Sequence, residues 1–259
     1  MQTSETIWPP ATNPVDFDFD VSRGAYSHLA LMHKFGRNPS VPSATEADVW
    51  TVGGTYPFQQ TAIAVRIASG GSANDDTAGS HARTVVVEGL DETWALVTET
   101  ITTAGALASS ATTTTFIRVF RAYVGDVGTY GNANDADIDI ETTGAVTLAR
   151  IPAGRGQSQL AVYTVPLGKT AYLEQVYCKT ESNKATDFLM YQRRNADDTS
   201  VPVTGKRLVV MYPQVGELID RQYRRYVSFP AKTDLWFAAI GPTGGGAVTA
   251  EFDLLLEDV

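Results

Sequence analysis

The sequence predicts an all-β chain: two tandem antiparallel β-sandwich domains, jelly-roll-like, preceded by an extended N-terminal arm. Three observations carry this. Apolar residues recur at a spacing of two nearly throughout, and no segment shows the three-to-four spacing of a long amphipathic helix. Short β-branched and aromatic runs alternate with clusters of Gly, Pro, Asn and Asp at the intervals expected of a sandwich. The pattern stops at the Gly-rich stretch IPAGRGQS (residues 151–158) and then restarts. The boundaries read as 1–47 for the arm, 48–152 for the first sandwich and 153–259 for the second.

Taken in order, the arm is broken by Pro9, Pro10, Pro14, Pro39 and Pro42, each of which removes a donor and restricts its predecessor. DFDFD (16–20) alternates acid with aromatic and reads as a short edge strand. SHLALMHKFG (27–36) is the apolar anchor. A free tail would be mostly polar. This one carries Trp8, Phe17, Phe19, Leu31 and Phe35, which need a surface to pack on, so these residues and Arg37 are the first candidate interface. Removal of residues 1–40 is expected to leave a folded body. TEADVWTVGGTYPF is turn-rich, and Ile63–Ile67 alternates as a strand. The organising stretch is His81–Val124: two β-branched runs around the turn GLDE, a Thr-rich connection, then FIRVFRAYV, giving three strands able to bury one face. Strands at Ile138–Ile140 and 146–151 complete the first half. In the second half QLAVYTV and TAYLEQVYCKT flank the turn PLGK, DFLMYQRRN and KRLVVMYP continue, and YRRYVSFPAKTDLWFAAIG and AVTAEFDLLLEDV close the chain. The segment 215–220 is the best candidate for a short helical turn.

The 259 residues suffice for sizeable cores, and a charged fraction of 19% is low for a globular chain. A net charge of −9 argues against a direct nucleic-acid binder, which needs a positive footprint. The single cysteine, Cys178, excludes an internal disulfide and any Cys-rich zinc site, and reads as a buried inert thiol. No basic-then-apolar leader opens the sequence and no apolar run approaches the ~20 residues of a membrane span, so a soluble chain is expected.

No catalytic or metal constellation emerges. His28, His33 and His81 are too scattered for a zinc or hydrolase site. The acidic stretches at 74–76 and 132–141 lack the glycine offset of a calcium loop, and Asp137 and Asp139 alternate with isoleucines as a solvent face does. GPTGGGAV (241–248) reads as a hairpin turn rather than a phosphate cradle. The expectation is no enzyme, no cofactor and no metal. Against the acidic whole, the arginines of RQYRRY, Arg221, Arg224 and Arg225, stand out. They are either solvated edge-protecting charges or a contact for an acidic surface on a neighbour.

HKFGRNPSV, DVWTVGGTYPF, SANDDTAGSHARTVVVEGLDETW, FIRVFRAYV and GQSQLAVYTVPLGKTAYL, in this order, resemble a family of structural proteins of tailed-bacteriophage virions. The resemblance spans Met32 to the C-terminus and carries no catalytic residues. It implies a capsid decoration (cement) protein that assembles as a homotrimer, binds the major capsid protein or other virion subunits, and resides in a virion put together in the host cytoplasm. A head fibre, a collar or adaptor-associated subunit and a tail subunit are the near alternatives. A carbohydrate- or receptor-binding module is the alternative from another class, with Tyr56, Tyr130 and Tyr212 as candidate stacking platforms; a depolymerase would require a carboxylate pair in a groove.

Overall fold

The computed structural model describes residues 16–181 and 184–259. Of the described residues 52% are in strands and 2% in helix, and every named strand pairing is antiparallel. In chain order the elements are α1 (Phe17–Ser22), β1 (Leu29–Val41), β2 (Ala47–Asp48), β3 (Ile63–Ile67), β4 (Thr84–Leu90), β5 (Leu96–Thr102), β6 (Thr115–Phe116), β7 (Arg118–Val124), β8 (Ile138–Thr142), β9 (Thr147–Ile151), β10 (Val162–Thr164), β11 (Lys169–Thr180), β12 (Thr186–Arg193), β13 (Arg207–Val215), β14 (Leu218–Phe229), β15 (Asp234–Ile240) and β16 (Gly246–Asp258).

The larger sandwich has one sheet in the order β1-β16-β11-β14 and another in the order β10-β15-β12-β13, with β2 added beside β15. Numbering its main strands along the chain as one to eight gives 1-8-3-6 over 2-7-4-5, which is jelly-roll order. Strand one of this roll is β1, and strand two is β10. Everything from β3 to β9 lies in the connection between them. That insert forms two smaller sheets, β6-β3-β8-β9 and β5-β4-β7.

Two expectations about the arm are thereby corrected. Residues 29–41 are not an arm but a jelly-roll strand, paired with β16 from Leu29↔Glu257 to Val41↔Gly246. Pro39 is tolerated because the register shifts between Asn38 and Val41, where no ladder donor is required. Removal of residues 1–40 would therefore take out a core strand. DFDFD is not a strand but the start of α1: Asp16 caps it by accepting from the Asp18 amide at 3.1 Å, and Asp18 and Asp20 follow in the first turn. Likewise 215–220 is no helical turn; β13 ends at Val215 and β14 begins at Leu218.

Alternation builds two cores. Within the roll, Ala171, Leu173, Val176 and Cys178 of β11 meet Phe188 and Met190 of β12, Leu235, Phe237 and Ala239 of β15, and Phe252 and Leu254 of β16. The other face of β12 and β15, Leu189, Tyr191, Trp236 and Ala238, packs on the insert together with Val65, Val85, Val87, Ile140 and Ile151. Sheet β10-β15-β12-β13 is thus covered on both sides, and this accounts for the continuous apolar run LWFAAI, the mark of a strand with no solvent face. Gly36 marks a close approach: a methyl there would collide with the Ala161 amide nitrogen and the Val49 carbonyl oxygen. Among the described residues no helix is long and apolar enough to cross a membrane.

Candidate interaction surface

The predicted interface residues fall on one sheet, β1-β16-β11-β14: Leu31 on β1 with Phe17 and Phe19 on the helix beside it, and Arg221, Arg224 and Arg225 on the edge strand β14. Trp8 lies outside the described residues. Phe17 and Phe19 sit on α1, which packs on β1, and Phe19 is 62% exposed. Phe17 leans on Tyr26 with ring centroids 5.6 Å apart, itself exposed. Leu31 projects from the outer side of β1 and is exposed, while Lys34, the odd one out, is buried. Phe35 is half-buried and stacks on His33 at 5.9 Å. Arg37 departs from the group: its guanidinium is held by Glu181 of the same chain, with bonds of 2.6 and 2.8 Å.

Arg224 and Arg225 owe their display to a bulge. Leu173 of β11 faces Val227, but Gln175 faces Gln222, so residues 223–226 of β14 stand opposite Glu174 alone. Extra residues in one strand locally break the ladder and re-aim side chains. Here they turn Arg224, Arg225 and Tyr226 outward, with Tyr226 55% exposed. Arg221 lies over the Tyr223 ring at 5.3 Å. Among the described residues Arg221, Arg224 and Arg225 have no ion-pair partner.

Beside the bulge is a cleft of about 290 Å³ whose lining includes Asp18, Leu31, His33, Glu174, Tyr226 and Asp253. It joins α1, β1 and β14 into one site. Glu174 is pushed up to about 7, first by burial and then by the charges of Asp18 and Asp253. The His33 imidazole is held above its usual value by its hydrogen bond to Asp253, at 2.6 Å. The face therefore carries an acidic hollow next to a basic bulge, with Phe17, Phe19, Leu31 and Tyr226 exposed around them. Aromatic anchors with complementary charge are what protein contacts use for affinity and orientation.

Several other charged groups are engaged inside the chain. Asp75, buried, accepts from the backbone amides of Ala82, Asp135 and Ala136 and so ties two loops together. Asp135 accepts from Ser72 and Asn74, and Asp139 holds Arg150 in a bidentate pair at 2.6 and 2.6 Å. Among the described residues no group of three or more His, Cys, Asp or Glu is arranged to hold a metal. Tyr56 and Tyr212 are buried, so of the three expected stacking platforms only Tyr130 is open to solvent.

A site that sequence reasoning missed lies at the junction of roll and insert. Asp234 on β15, 0% exposed, receives Arg118 of β7 at 2.8 and 3.0 Å, Arg193 of β12 at 2.6 Å and the Thr164 hydroxyl of β10 at 2.7 Å. Arg118 also donates to the Ile117 carbonyl at 2.8 Å and lies against Trp94 and Phe58 at 5.0 and 5.3 Å. An arginine inside the apolar strand FIRVFRAYV was the available signal.

No protein-family model matches the chain, and no curated protein matches it. Among solved structures it is similar at 10% identity and a TM-score of 0.22 to a structure of the Gt strain of infectious bursal disease virus, over 88% of this chain and 72% of that one. To a VP2 subviral particle of infectious bursal disease virus it is similar at 10% identity and a TM-score of 0.21, over 88% and 71%.

Proposed function

We propose that this chain is a structural subunit of a tailed-bacteriophage virion, a capsid decoration (cement) protein that assembles as a trimer and stabilises the head by binding neighbouring shell subunits. Its residence is the virion, assembled in the host cytoplasm, and its chemistry is association, not catalysis. One observation carries the reading: the outer face of β1-β16-β11-β14 sets an acidic hollow beside a basic bulge, with exposed aromatics around both.

Three further points support it. The order of sequence motifs resembles that of tailed-phage virion proteins. Jelly rolls recur in viral capsid and lectin domains, which is support by fold-level analogy alone. A face with both charge signs side by side suits a head-to-tail contact, acid of one copy on base of the next, and such contacts close into rings when the rotation allows. Repetition by symmetry then turns weak single contacts into firm attachment.

The test is co-sedimentation of the full chain with undecorated heads of the same virus, comparing wild type with Arg224→Glu/Arg225→Glu. Saturable binding by the wild type, weakened at least tenfold in the variant and more so at low salt, is expected. Equal binding by both proteins at every salt concentration would refute the role assigned to the bulge; no binding by the wild type would refute the decoration role.

A further inference from the structure

We propose that α1 is a pH-released flap at the rim of the acidic hollow: its Asp18 meets Glu174 and Asp253 there, so α1 docks on the roll in mild acid and lifts off above neutrality. The device lies within one chain and does not depend on the assembly reading.

The hold of α1 on the roll is slight. It is six residues long and buries one side chain, Val21. Its side chains bond within the turn itself: Ser22 donates to the Asp18 carbonyl at 2.8 Å and Arg23 to Asp20 at 2.7 Å. The amides of Asp20, Arg23, Gly24 and Ala25 are likewise bonded to carbonyls of the same segment, and the chain is tied to the roll at His28, whose carbonyl accepts the Asp258 amide at 2.9 Å. Between α1 and that tie lies Gly24, at φ +76° with open space where a Cβ would stand, a free joint. Segments with few buried apolar contacts open locally well before the body does, and a helix this short does not persist once undocked.

Electrostatics supplies the trigger. Asp18 of α1, His33 of β1, Glu174 of β11 and Asp253 of β16 line one hollow of about 290 Å³, with Tyr223 and Tyr226 of β14. Arg224 and Arg225 stand across the ladder from Glu174 but are exposed and do not line it. Burial, then the charges of Asp18 and Asp253, raise Glu174 to about 7. The hydrogen bond to Asp253 raises His33; burial opposes it, the charges of Asp253 and Glu251 add to it, and Lys34 works against them. Raising the pH through neutrality therefore adds a negative charge at Glu174 and removes a positive one at His33, both beside Asp18. Lifting α1 hydrates Glu174 and takes the Asp18 charge away from it. The docked form thus keeps the Glu174 proton between the ordinary glutamate range and about 7, and docking weakens as pH rises through that window.

The experiment is hydrogen exchange of the full chain followed by mass spectrometry, at about pH 5.5 and about pH 8.5, with rates corrected for intrinsic exchange. The amides of Asp20, Arg23, Gly24 and Ala25 report docking, and β11 and β16 report the stability of the roll. The opening constant of the α1 segment is expected to rise by about tenfold or more between the two, with β11 and β16 unaltered. Glu174→Gln, which keeps the shape and cannot ionise, is expected to abolish most of that rise, and Asp18→Asn, on the exposed side chain of α1, to reduce it. An opening constant in the wild type that is flat or falls with pH, an equal rise in β11 and β16, or an undiminished rise in Glu174→Gln would each overturn the proposal. If Glu174→Gln melts early, Asp18→Asn decides alone, and an undiminished rise there overturns it.

Discussion

Replacing Arg118 by Met removes the guanidinium that joins insert to roll while keeping an unbranched apolar stem against Phe58 and Trp94. The change takes two bonds from the Asp234 carboxylate and strips donors from the carbonyls of Ile117 and Gln59, in a place where Arg118 is 2% and Asp234 0% exposed. Breaking a buried ion pair by deleting one partner costs about 3–5 kcal/mol, because the other charge stays behind desolvated. Asp234 keeps Arg193 and Thr164, so the lower end, about 3 kcal/mol, is expected. For a chain of this size that lowers Tm by roughly 6–12 °C. Arg193→Met is the internal control. Its side chain is 28% exposed, so water replaces part of what is lost and its cost is smaller. Urea unfolding followed by tryptophan fluorescence measures both. A loss under about 1 kcal/mol for Arg118→Met, or a larger loss for Arg193→Met, would refute the claim that Asp234 is the buried anchor of the junction.

Three other outcomes follow from single side chains. Gly36→Ala forces backbone apart where β1 passes Ala161 and Val49, so it should destabilise by about 2 kcal/mol or more, or prevent folding; a Tm within 1 °C of wild type in a thermal melt would count against the close approach. Lys34 is buried, donates to the Phe120 carbonyl, and is lowered to about 7 by burial and then by Arg121, against the opposing pull of Glu88. The unfolded chain therefore holds more protons than the folded one between about pH 7 and the ordinary lysine range, and stability should rise with pH there by on the order of 1 kcal/mol per unit; Lys34→Met should flatten that slope, and identical slopes in denaturant titrations would contradict the assignment. The Tyr163 hydroxyl is buried with no hydrogen-bond partner among the described residues, so Tyr163→Phe should be neutral or stabilise by about 1 kcal/mol, and a clear loss in calorimetry would mean that the hydroxyl has a partner.

Much of the fold is legible in the sequence because its signals are local. The spacing of two, the β-branched runs and the turn residues depend on near neighbours, and the strands at 63–67, 84–90, 118–124, 138–142 and 147–151 follow them. The error at DFDFD has the same origin: alternation over five residues fits a strand, yet an Asp cap and two acids in the first turn fit a short helix, and the capping contact decides. Strand pairing is not local. That SHLALMHKFGRN closes a sheet with AVTAEFDLLLEDV across more than two hundred residues is recorded only in the matched burial alternation of β1 and β16, so a core strand reads as an arm. The exposed aromatics and arginines could be picked out as residues in want of a partner. Their meeting on one sheet could not, since it depends on α1 lying on β1 and on β14 pairing with β11. Arg118 and Asp234 were hidden for a related reason: each looks like an ordinary strand charge until the opposite element is in place.

Self-association through the outer face of β1-β16-β11-β14 is the claim on which the proposed function rests. Light scattering of the purified full chain over a concentration series, wild type beside Arg224→Glu/Arg225→Glu, tests it most directly. A trimer for the wild type and a monomer for the variant is the predicted result. A wild-type monomer at every concentration, or a trimer indifferent to the charge reversal, would contradict it.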